Sequence, residues 1–388
     1  MPSEADTTIE KWVYGGEGLA RVGGKVVFVP FVLPGETVRA RIGPGVHAEL
    51  AGILEPSAER VAAPCPIFGR CGGCHYQHAP YEFQLARKAE ILREQLRRVG
   101  KIEYAGEIEI VSGPPLGYRN RVQLHASGTQ LGYLGWGSHQ LIRLRGECPV
   151  ASPRINQAIA EMLPRMRDRR WPRFVKSIEL FTNETDVQVN VIQAEKPVAK
   201  TFFEWCRSVD ALDYPAATGT FRVSPRSFFQ VNRFLIDQLV DTALAGYSGE
   251  SALDLYAGVG LFAVAMARQF GSVTAVESGA SAVRDLEVNA RRAGLPFGVH
   301  QSRVEDFLAK LEPRPEFVLA DPPRAGLGKT VVEHLNRLAP PRITIVSCDP
   351  ATLARDLAGL ARYRIERISL VDLFPQTFHL ETVVHLAT

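Results

Sequence analysis

From about residue 216 to the C-terminus, short apolar runs recur at 251–256, 273–277, 317–321, 342–348, 364–371 and 377–387. Between them lie stretches of helical period such as 280–293 and 350–362. Strand and helix in alternation predict a doubly wound α/β domain. Residues 10–60 read differently. Strand-like runs at 26–32 and 37–42 sit between glycine and proline turns (Gly15-Gly16, Pro34-Gly35), the pattern of a small β-barrel. In the stretch 61–215 an amphipathic helix is expected at 80–99, with Phe83, Ala86, Ala89, Leu92, Leu96 and Val99 on its apolar face. Strands follow at 121–125, 132–134, 141–144, 177–181 and 186–191, a mixed α+β pattern. The expected domains are therefore 1–60, 61–215 and 216–388, with helix 80–99 a candidate to pack on the last of these.

Composition changes this picture little. The 388 residues are 46% hydrophobic and 22% charged, which excludes a disordered chain. No apolar run approaches the roughly 18 residues of a membrane span, and the N-terminus lacks the basic and apolar regions of a signal peptide, so a cytoplasmic protein without membrane contact is expected. The net charge of +3 does not by itself indicate nucleic acid. Two basic clusters stand out: Arg165, Arg167, Arg169, Arg170 and Arg173 around Trp171, and Arg87, Lys88, Arg93, Arg97, Arg98 and Lys101 along the helix. The plainer expectation for each is a solvated face.

The six cysteines of a cytoplasmic chain should not form structural disulfides. Cys65, Cys71 and Cys74 cluster, Cys148 comes later, and Cys206 and Cys348 stand apart. Cys65 and Cys148 each precede a proline, as iron–sulfur ligands often do. Four thiolates also suit zinc, with His75 and His78 as alternative ligands. Spacing alone leaves both metals open.

Residues 252–262 run from a strand through Gly258 and Gly260 into a helix, and Glu277 ends the next strand, where an acid can bond ribose hydroxyls. The third glycine of a dinucleotide site is missing. The turn is closer to the Asp-x-x-x-Gly-x-Gly of S-adenosylmethionine-dependent methyltransferases, here starting at Asp254, with NAD as the alternative ligand. A further strand ends in Asp321-Pro322-Pro323-Arg324, a stiff loop suited to a planar substrate. Cys348 ends the strand after that, where ligands and chemistry gather in such a sheet. A thiol there is either a packed hydrophobe or a nucleophile.

Taken together, residues 228–232, 254–260, 321–324, 347–352 and 379–383 resemble the RNA 5-methyluridine methyltransferase family, most of all the bacterial ribosomal-RNA uracil-5 methyltransferases that carry an iron–sulfur cluster. The stretch from Gly15 to Glu36 resembles the TRAM domain, an OB-like RNA-binding module. The resemblance implies a class I methyltransferase fold of Rossmann type, with S-adenosylmethionine as methyl donor and RNA as substrate. It makes Cys348 the nucleophile at C6 of uracil and Glu381 the base that removes the C5 proton. Gln230, Tyr256, Glu277 and Asp321 are then cofactor contacts, with Asp254, Gly258 and Gly260 shaping the turn and Asn232 a weaker candidate. Cys65, Cys71, Cys74 and Cys148 become ligands of a [4Fe–4S] cluster, with zinc as the alternative. Ribosomal RNA is favoured over transfer RNA by analogy with TRAM-bearing enzymes. An RNA cytosine-5 methyltransferase fits less well, because Ser347 rather than proline precedes Cys348. A silent RNA-binding module is the third possibility. A monomer is expected.

Overall fold

The computed structural model describes residues 3–388 apart from 200, 201, 204, 206, 207, 296 and 313, so Cys206 lies outside the described residues. Strands β1 (Ser3–Thr8), β2 (Lys11–Trp12), β3 (Glu17–Val22), β4 (Lys25–Pro30), β5 (Thr37–Ile42) and β6 (Ala48–Glu55) form two three-stranded antiparallel sheets, β1-β5-β6 and β2-β3-β4. Alternation sets their faces: in β5, Val38 and Ala40 point in while Arg39 and Arg41 stay exposed. The sheets enclose Ile9, Ala20, Val27, Val29, Val32, Val38, Ala40 and Ala48. A bridge between Phe28 and His47 joins them, so the expected barrel is two linked sheets rather than one continuous ring.

This N-terminal domain is not a tethered module. Trp12 leaves its core to stack on Tyr76 (4.0 Å between centroids, 6° between planes) and joins the main hydrophobic cluster of the C-terminal domain. Its indole N–H donates to Val32 O at 2.6 Å. Lys11 also pairs with Glu94 at 2.6 Å, but Lys11 is 43% exposed. Such a pair contributes about 0–1 kcal/mol, whereas burying a large apolar side chain contributes about 2–3 kcal/mol, so Trp12 dominates the docking.

Helix α1 (Tyr81–Arg98) and strand β7 (Ile108–Val111) come next in sequence and both join the C-terminal domain. The buried residues of α1 are Gln84, Leu85, Lys88, Ile91, Leu92 and Leu96, whereas Ala86 and Val99 are exposed. The buried face is thus rotated from the expected one, and the expectation of a solvated basic face fails at Lys88. Its ammonium is fully buried, donating to Asp372 Oδ1 at 2.6 Å and to Phe374 O at 3.0 Å. Periodicity could not show this, because α1 buries against a polar loop as well as an apolar wall.

The middle region contains β8 (Arg121–Ser127), β9 (Gln130–Leu134), β10 (Leu141–Arg143), α2 (Pro153–Arg165), β11 (Val175–Thr182) and β12 (Val187–Ala194), then the hairpin β13 (Leu212–Ala216) and β14 (Gly219–Val223). The sheet runs β10-β9-β8-β11-β12 with α2 packed on it. Trp171, expected among surface arginines, is a core residue at 3% exposure, edge-on to Phe202.

The C-terminal domain consists of α3 (Ile236–Leu244), β15 (Gly249–Leu255), α4 (Leu261–Met266), β16 (Phe270–Glu277), α5 (Ala280–Ala293), β17 (Gly298–Gln301), α6 (Val304–Lys310), β18 (Phe317–Ala320), α7 (Gly328–Leu338), β19 (Arg342–Ser347), α8 (Pro350–Gly359), β20 (Arg364–Val371) and β21 (Glu381–Ala387). Its sheet runs β17-β16-β15-β18-β19-β21-β20-β7. Strands β15 to β19 are parallel, and β21 is antiparallel to both neighbours. Helices cover both faces, so successive strand residues enter different cores. Val318, Ala320, Ile343 and Ile345 lie in one cluster, and Phe317, Leu319 and Val346 in the other. Residues 372–380, expected partly as strand, form the loop that leads into β21. Among the described residues no helix is long and apolar enough to cross a membrane.

Candidate active site

The sheet order reverses beside β15 and β18, where an open α/β sheet forms its ligand crevice. Beyond β15 the chain turns at Tyr256, which has a left-handed φ of 62°, then at Gly258 (56°) and Gly260 (93°). A Cβ at Gly260 would collide with Leu286 Cδ1, so glycine is required there. Glu277 at the end of β16 braces this turn: Oε2 accepts from Gly258 N–H at 3.0 Å and Oε1 from Gly279 N–H at 2.6 Å. Asn289 of α5 holds the same turn through Val259 O at 2.9 Å.

Asp254 lies within β15 with 0% exposure, and neither carboxylate oxygen has a hydrogen-bond partner. The Ala263 amide faces it outside hydrogen-bond geometry. Burial raises its pKa well above the ordinary range, and Asp321 adds to the shift. An orphaned buried carboxylate at the crevice is suited to a cationic ligand.

Antiparallel register brings the two residues of the expected chemistry together. Ser347 of β19 pairs with Thr382 of β21, so Cys348 and Glu381 lie one position beyond that pair at the strand ends, near enough for the Glu381 charge to act on the thiol. Asp321 follows β18 on the same edge, and its N–H donates to Leu255 O at 3.3 Å. Burial pushes the Cys348 thiol up to about 12, with Glu381 and Asp321 adding and Arg324 opposing. Glu381, 5% exposed, is raised well above its usual value by burial and then by Asp321, again opposed by Arg324. Burial lifts Asp321 to about 7. Three carboxyl groups and a thiol therefore share a region short of positive charge.

The surrounding loops are tied down. Asp349 caps α8, its Oδ1 accepting from Ala351 N–H at 3.0 Å and Thr352 N–H at 2.9 Å. Arg355 pairs with Asp356 and donates to Ala325 O at 2.7 Å, and Asp356 accepts from Leu327 N–H at 2.6 Å. Neither Asp349 nor Arg355 is a free catalytic group; both hold the loop after Asp321 against α8. Gln230 is buried, on a segment pinned by Ser227 to Asp285 (2.7 Å) and by Asn232 to Leu373 O (3.2 Å). Asn232 is thus a structural tie. Phe228, in contrast, is 59% exposed, a large apolar side chain held open to solvent two residues from Gln230.

Cys65, Cys71, Cys74 and Cys148 line one cavity of about 170 Å³, together with Phe68, Tyr133 and Arg119. Burial raises the thiol of Cys71 to about 11 and that of Cys74 to about 12. Among the described residues no three His, Cys, Asp or Glu side chains form a group that could hold a metal ion as they stand. His75 and His78 are not cavity residues. His78 Nε2 lies 3.3 Å from Val32 O, and His75 packs between Trp136 and Phe378, so the alternative ligand role falls away.

The class of protein follows from the fold and from matches to known families. Residues 3–43 match the TRAM domain, and residues 303–388 match the tRNA (Uracil-5-)-methyltransferase family. The fold is similar to that of the Pyrococcus abyssi tRNA (uracil-54, C5)-methyltransferase, with a TM-score of 0.75 at 23% identity over 98% of this chain and 100% of that one. Over 98% of its length the chain is 33% identical to the 23S rRNA (uracil(1939)-C(5))-methyltransferase RlmD of Halomonas elongata, covering 89% of that protein. It is 32% identical to an uncharacterized RNA methyltransferase of Aquifex aeolicus, with 98% and 97% covered. The chain belongs to the S-adenosylmethionine-dependent RNA (uracil-5-)-methyltransferases.

Sequence reasoning missed Tyr14 of the N-terminal domain. Its hydroxyl donates to Asp349 Oδ2 at 3.1 Å, across 335 positions of sequence. No local signal could have found it.

Proposed function

We propose that this enzyme methylates C5 of a uridine in 23S ribosomal RNA, in the cytoplasm. The observation that carries the chemistry is the strand register that sets Cys348 opposite Glu381. Cys348 adds through sulfur to C6, and the resulting enolate at C5 takes up the methyl group. Glu381 removes the C5 proton, and Cys348 leaves as the 5,6 double bond re-forms. S-adenosylmethionine supplies the methyl group as a sulfonium. The residues present fit that donor: Asp254, Asp321 and Glu381 are buried acids without adequate cationic partners, and a sulfonium with an ammonium supplies positive charge. Gln230, Tyr256, Glu277 and Asp321 would hold it over the turn at Gly258 and Gly260, both at positive φ. Positive charge at the site lowers the Cys348 pKa toward the thiolate.

The four cysteines would hold a [4Fe–4S] cluster. Four thiols around a cavity of about 170 Å³ suit a multi-atom cluster better than zinc, whose ligands crowd one point at about 2.3 Å. Ribosomal RNA is favoured over transfer RNA because relatives alike over nearly the whole chain carry the 23S rRNA name.

The test is nucleoside analysis after incubation with undermodified RNA and labelled methyl donor. The expected product is 5-methyluridine in a 23S fragment. Cys348→Ala should be inactive, and Glu381→Gln should accumulate a covalent RNA–protein adduct. 5-Methylcytidine as product, or label confined to transfer RNA, would overturn the assignment.

A further inference from the structure

The N-terminal domain does more than contribute surface for RNA. Its loop 13–16 is wedged into the wall of the active site. Tyr14 donates its hydroxyl hydrogen to Asp349 Oδ2 at 3.1 Å, the oxygen of Asp349 not used in capping α8. Its ring meets Phe378 edge-on, with centroids 5.5 Å apart at 86°. Asp349 follows Cys348 in the chain, and Phe378 lies three positions before Glu381. One side chain therefore touches both the turn after the nucleophile and the segment that delivers the base.

The seating is specific. Gly15 and Gly16 have φ of 115° and 90°, so the loop takes a path open to glycine. A Cβ on Gly16 would stand 3.1 Å from Phe378 Cδ1 and 3.2 Å from the His75 side chain, tighter than ordinary packing. Trp12, stacked on Tyr76, anchors the start of the loop. Burial and the neighbouring Asp349 carboxylate raise the phenol pKa of Tyr14, which keeps it a hydrogen-bond donor at neutral pH.

We propose that Tyr14 is a positioning residue for methyl transfer: from the TRAM domain it locks the Cys348–Asp349 turn against the Phe378–Glu381 segment. RNA engaged by the N-terminal domain then meets a nucleophile and base aligned by that same domain. The inference rests on Cys348 being the nucleophile and Glu381 the base.

The test uses the full-length enzyme and undermodified total RNA in which the wild type forms 5-methyluridine. Single-turnover rate at saturating RNA and methyl donor, RNA Kd and Tm are measured for Tyr14→Phe, Tyr14→Ala and Cys348→Ala. Tyr14→Phe keeps the ring on Phe378 and loses only the hydrogen bond to a charged acceptor. It should slow the single turnover roughly 10-fold, with RNA Kd within about twofold and Tm unchanged. Tyr14→Ala should be slower still. A Tyr14→Phe enzyme at the wild-type rate, or one whose deficit vanishes at saturating RNA, overturns the proposal. A deficit matched by an equal loss of folded protein also overturns it. If Cys348→Ala retains activity, the nucleophile assignment itself fails; if Cys348→Ala is inactive and Tyr14→Phe is normal, only the role of Tyr14 fails.

Discussion

The cleft around Cys348 and the cavity around Cys65, Cys71, Cys74 and Cys148 each gather thiols or acids that call for a positive partner, but they are built by opposite means. In the cleft Asp321, Cys348 and Glu381 sit at or just past the ends of buried strands, and hydrogen-bond register sets their positions. The cysteines of the cavity lie in turns and loops, none of them inside a helix or strand. A sheet edge holds its shape without a ligand. Loops that converge on four thiols would draw their order from a metal held there, if the proposed cluster is bound. A sheet can therefore fix chemistry in advance, while the proposed cluster would have to complete the loop cage.

The largest effects should separate the two regions by readout. Cys348→Ala should abolish methylation with Tm little changed, because the partly buried thiol lines the crevice rather than the core. Cys74→Ser should lose the visible absorbance of the cluster, lower Tm by several degrees and reduce activity only as folded protein is lost. If Cys74→Ser is as stable as wild type, the cavity is not a loaded metal site and the contrast collapses.

A second substitution probes the element that borders both regions. The loop 372–379 leads to Glu381 and is gripped from below by α1. Lys88 and Tyr81 bond Asp372, and Gln84 Nε2 donates to Gln376 Oε1 at 3.0 Å. Next to Cys74, the amides of His75 and Tyr76 donate to Gln376 O at 2.8 and 3.0 Å. Lys88→Met strands a buried carboxylate at Asp372 and should cost about 3–5 kcal/mol in urea unfolding. Pairing it with Asp372→Leu should recover much of that loss. A single variant within 1 kcal/mol of wild type would show that α1 does not clasp the loop.

The smallest effect is on pH dependence. As the proposed base, Glu381 would work only when ionised, and burial beside Asp321 raises its pKa. The acid limb of kcat/KM should lie above the ordinary carboxylate range, with rate rising about tenfold per unit of pH below it. Asp321→Asn removes a neighbouring negative charge, so in its residual activity the limb should move to lower pH. A limb that does not move would show that the two carboxyls do not share a site. The corresponding stability change has the opposite sense. Because Asp321 is raised from 3.8 to about 7 in the folded protein, stability without ligand should fall as pH rises through that window.

Much of the cleft was legible beforehand. Gly258 and Gly260 mark a turn because glycine takes a left-handed backbone without penalty, and Asp321 and Cys348 follow apolar runs that read as buried strands. The buried face of α1 was misplaced because Gln84 and Lys88 look like solvent residues until their loop partners are present. Trp171 looked like part of a basic surface for the same reason: neighbours in sequence said nothing of the core it joins.

By itself, then, the sequence determined the class of chemistry. Strand-end thiol and acid, glycine turn and cysteine cluster are local patterns, and local sterics and periodicity make them readable. Only the tertiary structure decided which of these groups meet. Antiparallel register brings Cys348 and Glu381 to neighbouring strand ends, Lys88 is buried by a loop from far along the chain, and Tyr14 reaches Asp349 from another domain. Such partnerships depend on long-range strand pairing and domain docking, which leave no trace in the spacing of residues along one segment.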